Sequence, residues 1–388
     1  MINLSDVVAK EQFRIGALTI EVLHTPGHTL ESTCYLLKDE NGKDHCVFTG
    51  DTLFVGDVGR PDLAQGGDLT MSELAGMLYE SLQKKIMPLA DDVIVYPAHG
   101  PGSSCGKNLG PETHSTIAEQ KANNYALQQQ SKEEFIKAVT KGLEAPPKYF
   151  PVNARINKEG YGLMDALLKK GLTALSVEQF KELSKEPKTL ILDTRHADTF
   201  TLGFIPGSIS IGLEGRFAEW AGALLPFDEN ILLVCEDGKE EETIVRLARV
   251  GFDKVLGYLE GGFAAWQEAG KEVDQVTRIT ADEFAAQFIV GESMVIDVRK
   301  ESEYEAEHVE DAYSKPLAYI NDWTKDIQPD QHFFLHCAGG YRSMIAASIL
   351  QARGYRNFTE VDGGFGAISK TEVPRTDFVC QSKVLKTN

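Results

Sequence analysis

Residues 337–343 read Cys-Ala-Gly-Gly-Tyr-Arg-Ser. They follow an apolar run, Phe333-Phe334-Leu335, and precede a helical stretch from Ser343 to Gln351. A cysteine on a tight glycine loop, between a buried strand and a helix start, has a physical use. The loop's backbone N–H groups converge on the sulfur, and the helix N-terminus adds partial positive charge. Such a setting favours thiolate, the reactive form of a thiol. The same N–H cradle can hold the terminal sulfur of a persulfide, Cys–S–S⁻, and Arg342 adds a full positive charge at the rim. Cys337 and Arg342 are therefore the candidate catalytic pair. Ala338, Gly339, Gly340, Tyr341 and Ser343 form the candidate substrate-holding loop. A buried structural cysteine is the common fate of a free thiol, but here loop, arginine and helix start coincide.

A different chemistry occupies the N-terminal third. His24-Thr-Pro-Gly-His28-Thr29, Phe48-Thr-Gly-Asp51 and Tyr96-Pro-Ala-His99 each follow a strand-like run. Histidine and aspartate at strand ends, set in Pro/Gly turns, suit metal ligation because the backbone fixes their direction. One such motif is a weak signal, since His is often a satisfied polar residue. Three in this order are a strong one.

The elements that position these residues alternate short apolar strands with helices, and they repeat. Leu190–Arg195 parallels Met294–Arg299, and Gly203–Ser208 parallels the segment around His308. Ile231–Cys235 parallels Phe333–Cys337, and Gly261-Gly262-Phe263 parallels Gly363-Gly364-Phe365. The offset stays at about 102 to 104 residues, a domain-sized duplication and not a short solenoid repeat. Each copy reads as a parallel-sheet α/β domain. The copies differ chemically. The first loop runs Cys235-Glu-Asp-Gly-Lys-Glu-Glu-Glu, with Glu240 in the place of Arg342. Carboxylates beside Cys235 raise the cost of its thiolate and repel an anionic sulfur species, so the first copy is expected to be inactive and structural.

The Cys337 loop resembles the active-site loop of the rhodanese (sulfurtransferase) family, Cys-x-x-Gly-x-Arg. Val295–Arg299, Glu303-Tyr304 with His308, and Val361–Phe365 agree with that family's other segments. The departure is Glu307-His308-Val309-Glu310-Asp311-Ala312, where the family usually shows glycines. The N-terminal motifs resemble the metallo-β-lactamase superfamily. Gly50-Asp51-Thr52-Leu53-Phe54 and its continuation to Leu63 are similar to the persulfide dioxygenase branch, related to glyoxalase II. This resemblance implies a mononuclear Fe(II) held by two His and one Asp. By motif position His28 and Asp51 are two of the ligands, and His99 stands at the third His motif, which in this branch need not touch the iron. Arg60 lies on the segment used near the thiol substrate. The superfamily's His-x-His-x-Asp-His motif does not occur in the 27 residues before His28. The expectation is an N-terminally truncated chain with an incomplete ligand set. A natural loss of metal chemistry, or a partner chain that supplies the missing strands, would be compatible with the same sequence.

The expected fold is α/β: the C-terminal part of a metallo-β-lactamase αββα sandwich, then two rhodanese-like domains. The boundaries read as 1–130 for the partial first domain and 131–172 for a helical and extended linker. The inactive copy spans 173–275, and the active copy with its tail 276–388. Helical periodicity marks Glu112–Gln130 and Ser131–Leu143, and Ala145–Pro151 reads as an extended strap. Hydrophobic content of 42% and charged content of 25% are ordinary for a globular protein. A net charge of −19 argues against nucleic acid as partner. No run is long and apolar enough for a bilayer. The six cysteines show no disulfide-framework spacing, and no export signal is visible, which points to a reducing cytoplasm. Cys34 and Cys46 read as core and Cys380 as tail, while Cys105, just after His99, could stand at the metal cleft.

The implied function is sulfur metabolism. Cys337 would carry a sulfane sulfur among thiosulfate, sulfite and thiol persulfides, with glutathione or another thiol as partner. The N-terminal module would oxidise a low-molecular-weight persulfide to sulfite. Alternatives are a sulfurtransferase with a vestigial metal domain, a non-enzymatic persulfide carrier or sensor, and a glyoxalase II-like hydrolase. Oligomeric state is open, including a homo-oligomer.

Overall fold

The structure, a computed structural model, describes residues 11–63, 69–100, 105–106, 111–129, 131–141, 143, 149–160, 162, 164–328 and 330–379. Cys380 and most of the strap expected over Ala145–Pro151 lie outside these. The chain divides into two compact units, Met1–Pro146 and Pro147–Asn388.

The first unit is built on a six-stranded sheet. Its order is Gln12–Ile15, Leu18–His24, Thr33–Lys38, Asp44–Gly50, Ile94–Pro97 and Ser115–Thr116. Neighbours are antiparallel except Asp44–Gly50 and Ile94–Pro97. Those two run parallel because the helix Met71–Ser81 lies between them in the chain. Strand alternation sorts the two faces. Leu36, Val47 and Val95 stand in register and are buried with Ala75, Leu78 and Phe135. The adjacent row, Tyr35, Phe48 and Tyr96, faces the other way. Phe48 and Tyr96 stack at 5.6 Å and are 44% and 38% exposed. Helices therefore cover one face of this sheet among the described residues.

Two helical segments differ from the expectation. Over 112–129 the α-helix is confined to Ile117–Asn123. Asn124 leaves helical geometry, and its buried amide donates to the Asp57 carbonyl at 2.9 Å. Helix Lys132–Thr140, expected in a linker, packs on Met71–Ser81. Phe135 meets the Tyr79 ring at 5.4 Å, and Lys132 reaches Glu80 at 3.3 Å. Beyond the strap, Tyr149–Glu159 is helical and Pro151 sits in its first turn, where no N–H is required.

The second unit holds two five-stranded sheets of the same topology. The first has the order Ile209–Ser210, Thr189–Asp193, Asn230–Val234, Val255–Leu259, Ala174–Leu175. The second runs Arg278–Ile279, Phe358–Val361, Phe333–His336, Val295–Asp297, Tyr313–Ser314, which is that order read from the other edge. All pairings are parallel. Ile231–Val234 and Phe333–His336 are buried throughout, as central parallel strands covered on both faces must be. The copies share one core, in which Leu233 and Phe217 cluster with Ile296 and Met344. The helix Tyr341–Ala352 lies at their junction. Its Ser348 hydroxyl accepts from the Ser210 N–H at 2.9 Å, and Tyr341 donates to the Gly212 carbonyl at 2.8 Å.

The glycine departures at 307–312 have a backbone explanation. Gly203 has φ 166° and its counterpart Glu307 has φ −169°, extended backbone that any residue adopts. Gly207 has φ +83° and its counterpart Asp311 has φ +60°. Asp tolerates this left-handed region better than most residues. Asp311→Gly should leave thermal stability within about 1 kcal/mol of the parent, whereas Asp311→Val should cost about 1–2 kcal/mol. Denaturant unfolding of the two variants checks this, and equal stability would sink it.

Candidate functional site

Cys337 follows the strand Phe333–His336 and is 1% exposed. Four residues later the helix Tyr341–Ala352 begins, with Gly340 as N-cap at φ +101°. The Gly340 N–H donates to Cys337 Sγ at 3.1 Å, and Ser343 Oγ lies 3.4 Å from the same sulfur. The closing turn braces the loop from below. Phe365 N–H donates to the Cys337 carbonyl at 2.7 Å and Gly366 N–H to the Ala338 carbonyl at 2.9 Å. A Cβ on Gly364 would stand 2.4 Å from the Cys337 carbonyl oxygen, so only glycine allows this approach.

Of the expected loop residues, Cys337, Gly340 and Ser343 converge on the sulfur. Ala338 is half-buried and Gly339 exposed. Tyr341 is turned to the first copy, where its hydroxyl is spent on Gly212; burial raises its pKa. Arg342 is not a free cation. It makes a fork to Glu303, at 2.6 and 2.9 Å. Burial opposes ionisation of Glu303, but the fork prevails and holds its carboxyl below the usual range. Two partners went unread in the sequence, Glu303 for Arg342 and Glu360 for Ser343. Ser343 Oγ donates to Glu360 Oε1 at 2.6 Å. The available signal was a glutamate between Thr359 and Val361 in a short strand, Phe358–Val361, that is buried throughout. His336 is also fully buried, which pushes its pKa down, with Nδ1 3.1 Å from the Cys337 carbonyl.

In the first copy the helix Glu240–Ala248 starts one residue later relative to its cysteine, with Lys239 as N-cap. Counted from the helix start, Glu241 takes the place of Arg342. Cys235 is pushed up to about 11, chiefly by burial, with Glu240 and Asp193 adding to it. The direction agrees with the acidic loop, but desolvation is the larger cause.

In the first unit Asp51, His99 and Cys105 place one ligand atom each within 4.8 Å of one another. His99 Nε2 is 3.1 Å from Asp51 Oδ1, yet that oxygen is buried without an aligned hydrogen bond. An orphaned carboxylate oxygen beside an imidazole and a thiol suits a divalent cation. His28 is placed beside this group but outside it. A Cβ on Gly59 would touch both the Asp51 carbonyl and His28 Cβ. His28 Nδ1 donates to the Arg60 carbonyl at 2.9 Å, which leaves Nε2 as the ligating nitrogen. Arg60 itself is 5% exposed and forked to Asp62, with two contacts at 2.6 Å. Any anion it meets shares it with that carboxylate. His24 is turned away, its Nε2 donating to the Leu30 carbonyl at 2.7 Å.

The family model "Rhodanese-like domain" matches residues 176–269 and 280–371. A metallo-β-lactamase from Staphylococcus aureus subsp. aureus COL is similar at 30% identity, over 66% of this chain and 69% of that one, with a TM-score of 0.54. ETHE1 from Myxococcus xanthus is similar at 34% identity, over 39% of this chain and 58% of that one, with a TM-score of 0.32. Glyoxylase B2 of Dictyostelium discoideum is 35% identical over 147 residues, 36% of this chain and 45% of that protein. The chain spans less than half the length of the curated relatives it matches.

With its thiol pushed up to about 11, Cys235 should be about one-thousandth thiolate at pH 8. Brief iodoacetamide treatment at pH 8 should leave the Cys235 peptide unmodified by mass spectrometry, with labelling rising only toward pH 11. Rapid labelling at pH 8 would refute it.

Proposed function

Since the chain belongs to the proteins that join a metallo-β-lactamase fold to tandem rhodanese-like domains, we propose that it is a sulfurtransferase of sulfur metabolism in which Cys337 carries the sulfur. The carrying observation is the Gly340 N–H on Cys337 Sγ at the N-terminus of an unblocked helix. The Cys337 thiolate attacks the sulfane sulfur of thiosulfate or a thiol persulfide. A new S–S bond forms at Sγ, the donor's S–S bond breaks, and sulfite or thiolate leaves with the electron pair. An acceptor, sulfite or a thiolate, then attacks the outer sulfur and Cys337 departs as thiolate. No external oxidant is needed. The Gly340 N–H and the helix N-terminus stabilise negative charge at both stages.

For the first unit we propose a metal-dependent step on a small thiol compound. Asp51 and His99 would hold the ion, with His28 Nε2 or Cys105 completing the set. Bound Fe(II) would supply O₂ activation for oxidising a persulfide to sulfite. A second reading is hydrolysis of a thioester. It is favoured by the thiol of Cys105 beside Asp51 and His99, a set that suits zinc better than a facial-triad iron.

Cys337→Ser should abolish thiosulfate:cyanide sulfur transfer, and Cys235→Ser should retain it within about twofold. Activity in the first variant, or its loss in the second, overturns the assignment. Cobalt(II) titration should show a near-ultraviolet thiolate charge-transfer band that Cys105→Ser removes. A band that survives in the variant excludes Cys105 as ligand. Oxygen uptake with glutathione persulfide, against thioester hydrolysis, separates the two metal readings.

A further inference from the structure

Glu360 lies in the strand Phe358–Val361, next to the strand that delivers Cys337, and is 0% exposed. A buried carboxylate needs partners, and this one has two. Arg278 Nε donates to Oε2 at 2.7 Å and Ser343 Oγ to Oε1 at 2.6 Å. Arg278 is itself divided, with Asp198 Oδ1 at 2.6 Å and Asp362 Oδ1 at 3.2 Å. It therefore neutralises Glu360 incompletely.

Ser343 has one proton to give. Its oxygen lies 2.6 Å from Glu360 Oε1, 3.1 Å from the Gly340 carbonyl and 3.4 Å from Cys337 Sγ. The carboxylate is the nearest acceptor and the charged one, so the hydroxyl proton points to Glu360. The lone pairs of Ser343 are then left for the Cys337 S–H. We propose that Cys337, Ser343 and Glu360 form a proton relay, with Glu360 as a positioning residue that takes up the thiol proton through Ser343. The proposal rests on the reading of Cys337 as the sulfur carrier.

The step balances within the protein. The Cys337 S–H bond breaks as Ser343 Oγ gains that proton. The Ser343 O–H bond breaks as Glu360 Oε1 gains the other. No electron pair leaves its atom, and net charge is unchanged. Negative charge moves from Glu360 to Sγ, where the Gly340 N–H and the turned Ser343 O–H receive it. Both ends are buried, so the relay spares an exchange with solvent. Burial raises the Glu360 pKa against the opposing pull of Arg278 and Ser343, with Asp362 adding to the rise. Such a carboxyl holds a proton more readily than an exposed one. The other charged or titratable groups beside Cys337 are Arg342, held by Glu303, and His336, whose Nδ1 meets the Cys337 carbonyl. The first copy has no such device. Its Tyr258 stands where Glu360 does, and its Thr243 donates to the Lys239 carbonyl at 2.7 Å.

The test is the pH dependence of iodoacetamide alkylation at Cys337 in the full chain, read on the Cys337 peptide. An internal transfer makes the thiolate fraction independent of solvent pH while the pair holds one proton. The parent should change less than about threefold over two pH units near neutrality, whereas Ser343→Ala and Glu360→Gln should climb about tenfold per pH unit, as an isolated thiol does below its pKa. Ser343→Thr keeps the hydroxyl and should restore the flat profile. It keeps the proposal testable should Glu360→Gln fail to fold. A purely structural Glu360 would change stability without changing slope, so equal slopes in the parent and Ser343→Ala overturn the relay. Turnover retained in Cys337→Ser would instead overturn the sulfur-carrier reading.

Discussion

The second rhodanese-like copy depends on one buried ion pair. Asp297 ends a central strand and is 1% exposed; Arg299, two residues on, forks back to it at 2.8 and 2.6 Å. The guanidinium lies 3.9 Å from the Phe365 ring centroid and donates to the Glu307 carbonyl at 2.8 Å. One cation thus ties three chain segments together. Phe365 in turn donates its N–H to the Cys337 carbonyl, so the cysteine loop inherits its position from this pair. Removing one partner would leave a buried charge, at a cost of about 3–5 kcal/mol. The first copy repeats the arrangement in Asp193, Arg195, Phe263 and the Gly203 carbonyl. The scaffold is duplicated; the cysteine loop is not.

What separates the copies is the use of a helix N-terminus. The helix Glu240–Ala248 carries Glu240, Glu241 and Glu242 in its first turn, and these carboxylates occupy the positive end of its own dipole. The helix Tyr341–Ala352 has no acid in its first turn. Its positive end is left for the sulfur, with Glu303 bound to Arg342 and Glu360 to Arg278 and Ser343. The same architecture therefore gives a self-satisfied helix in one copy and an anion-receiving one in the other.

Much of this was legible in the sequence because it rests on local pattern. Cysteine, glycine pair and arginine on a strand-to-helix loop are contiguous, and the duplication shows as a constant offset. The strand-end positions of Asp51 and His99 were legible for the same reason. Contacts between distant segments were not. Nothing local in Tyr341 announces Gly212, and nothing in Arg342 announces Glu303. The linker reading failed at Lys132–Thr140 because an amphipathic helix does not say which surface it covers. Cys105 was readable only as a thiol near His99; its approach to Asp51 needed the fold. At Asp311 the missing glycine looked like a departure from pattern, but the backbone conformation is the same and the residue merely a tolerable occupant.

The retention of a first copy with an acidic cysteine loop has a physical reason. The helix Tyr341–Ala352 is buried over Ser343–Gln351, more than one apolar stripe of an amphipathic helix would hide. Its own sheet covers one side. The first copy supplies another wall, through Ser210, Gly212 and the Thr201 hydroxyl near Met344 Sδ at 3.7 Å. Asp198 of the first copy also draws on Arg278, the partner of Glu360. A change confined to the Cys235 loop would leave all of these contacts intact. Loss of the fold around it would uncover the helix that aims Cys337 and leave Arg278 to two acids instead of three. If Cys337 carries the sulfur as proposed, selection at that one loop is enough to keep the fold of both copies.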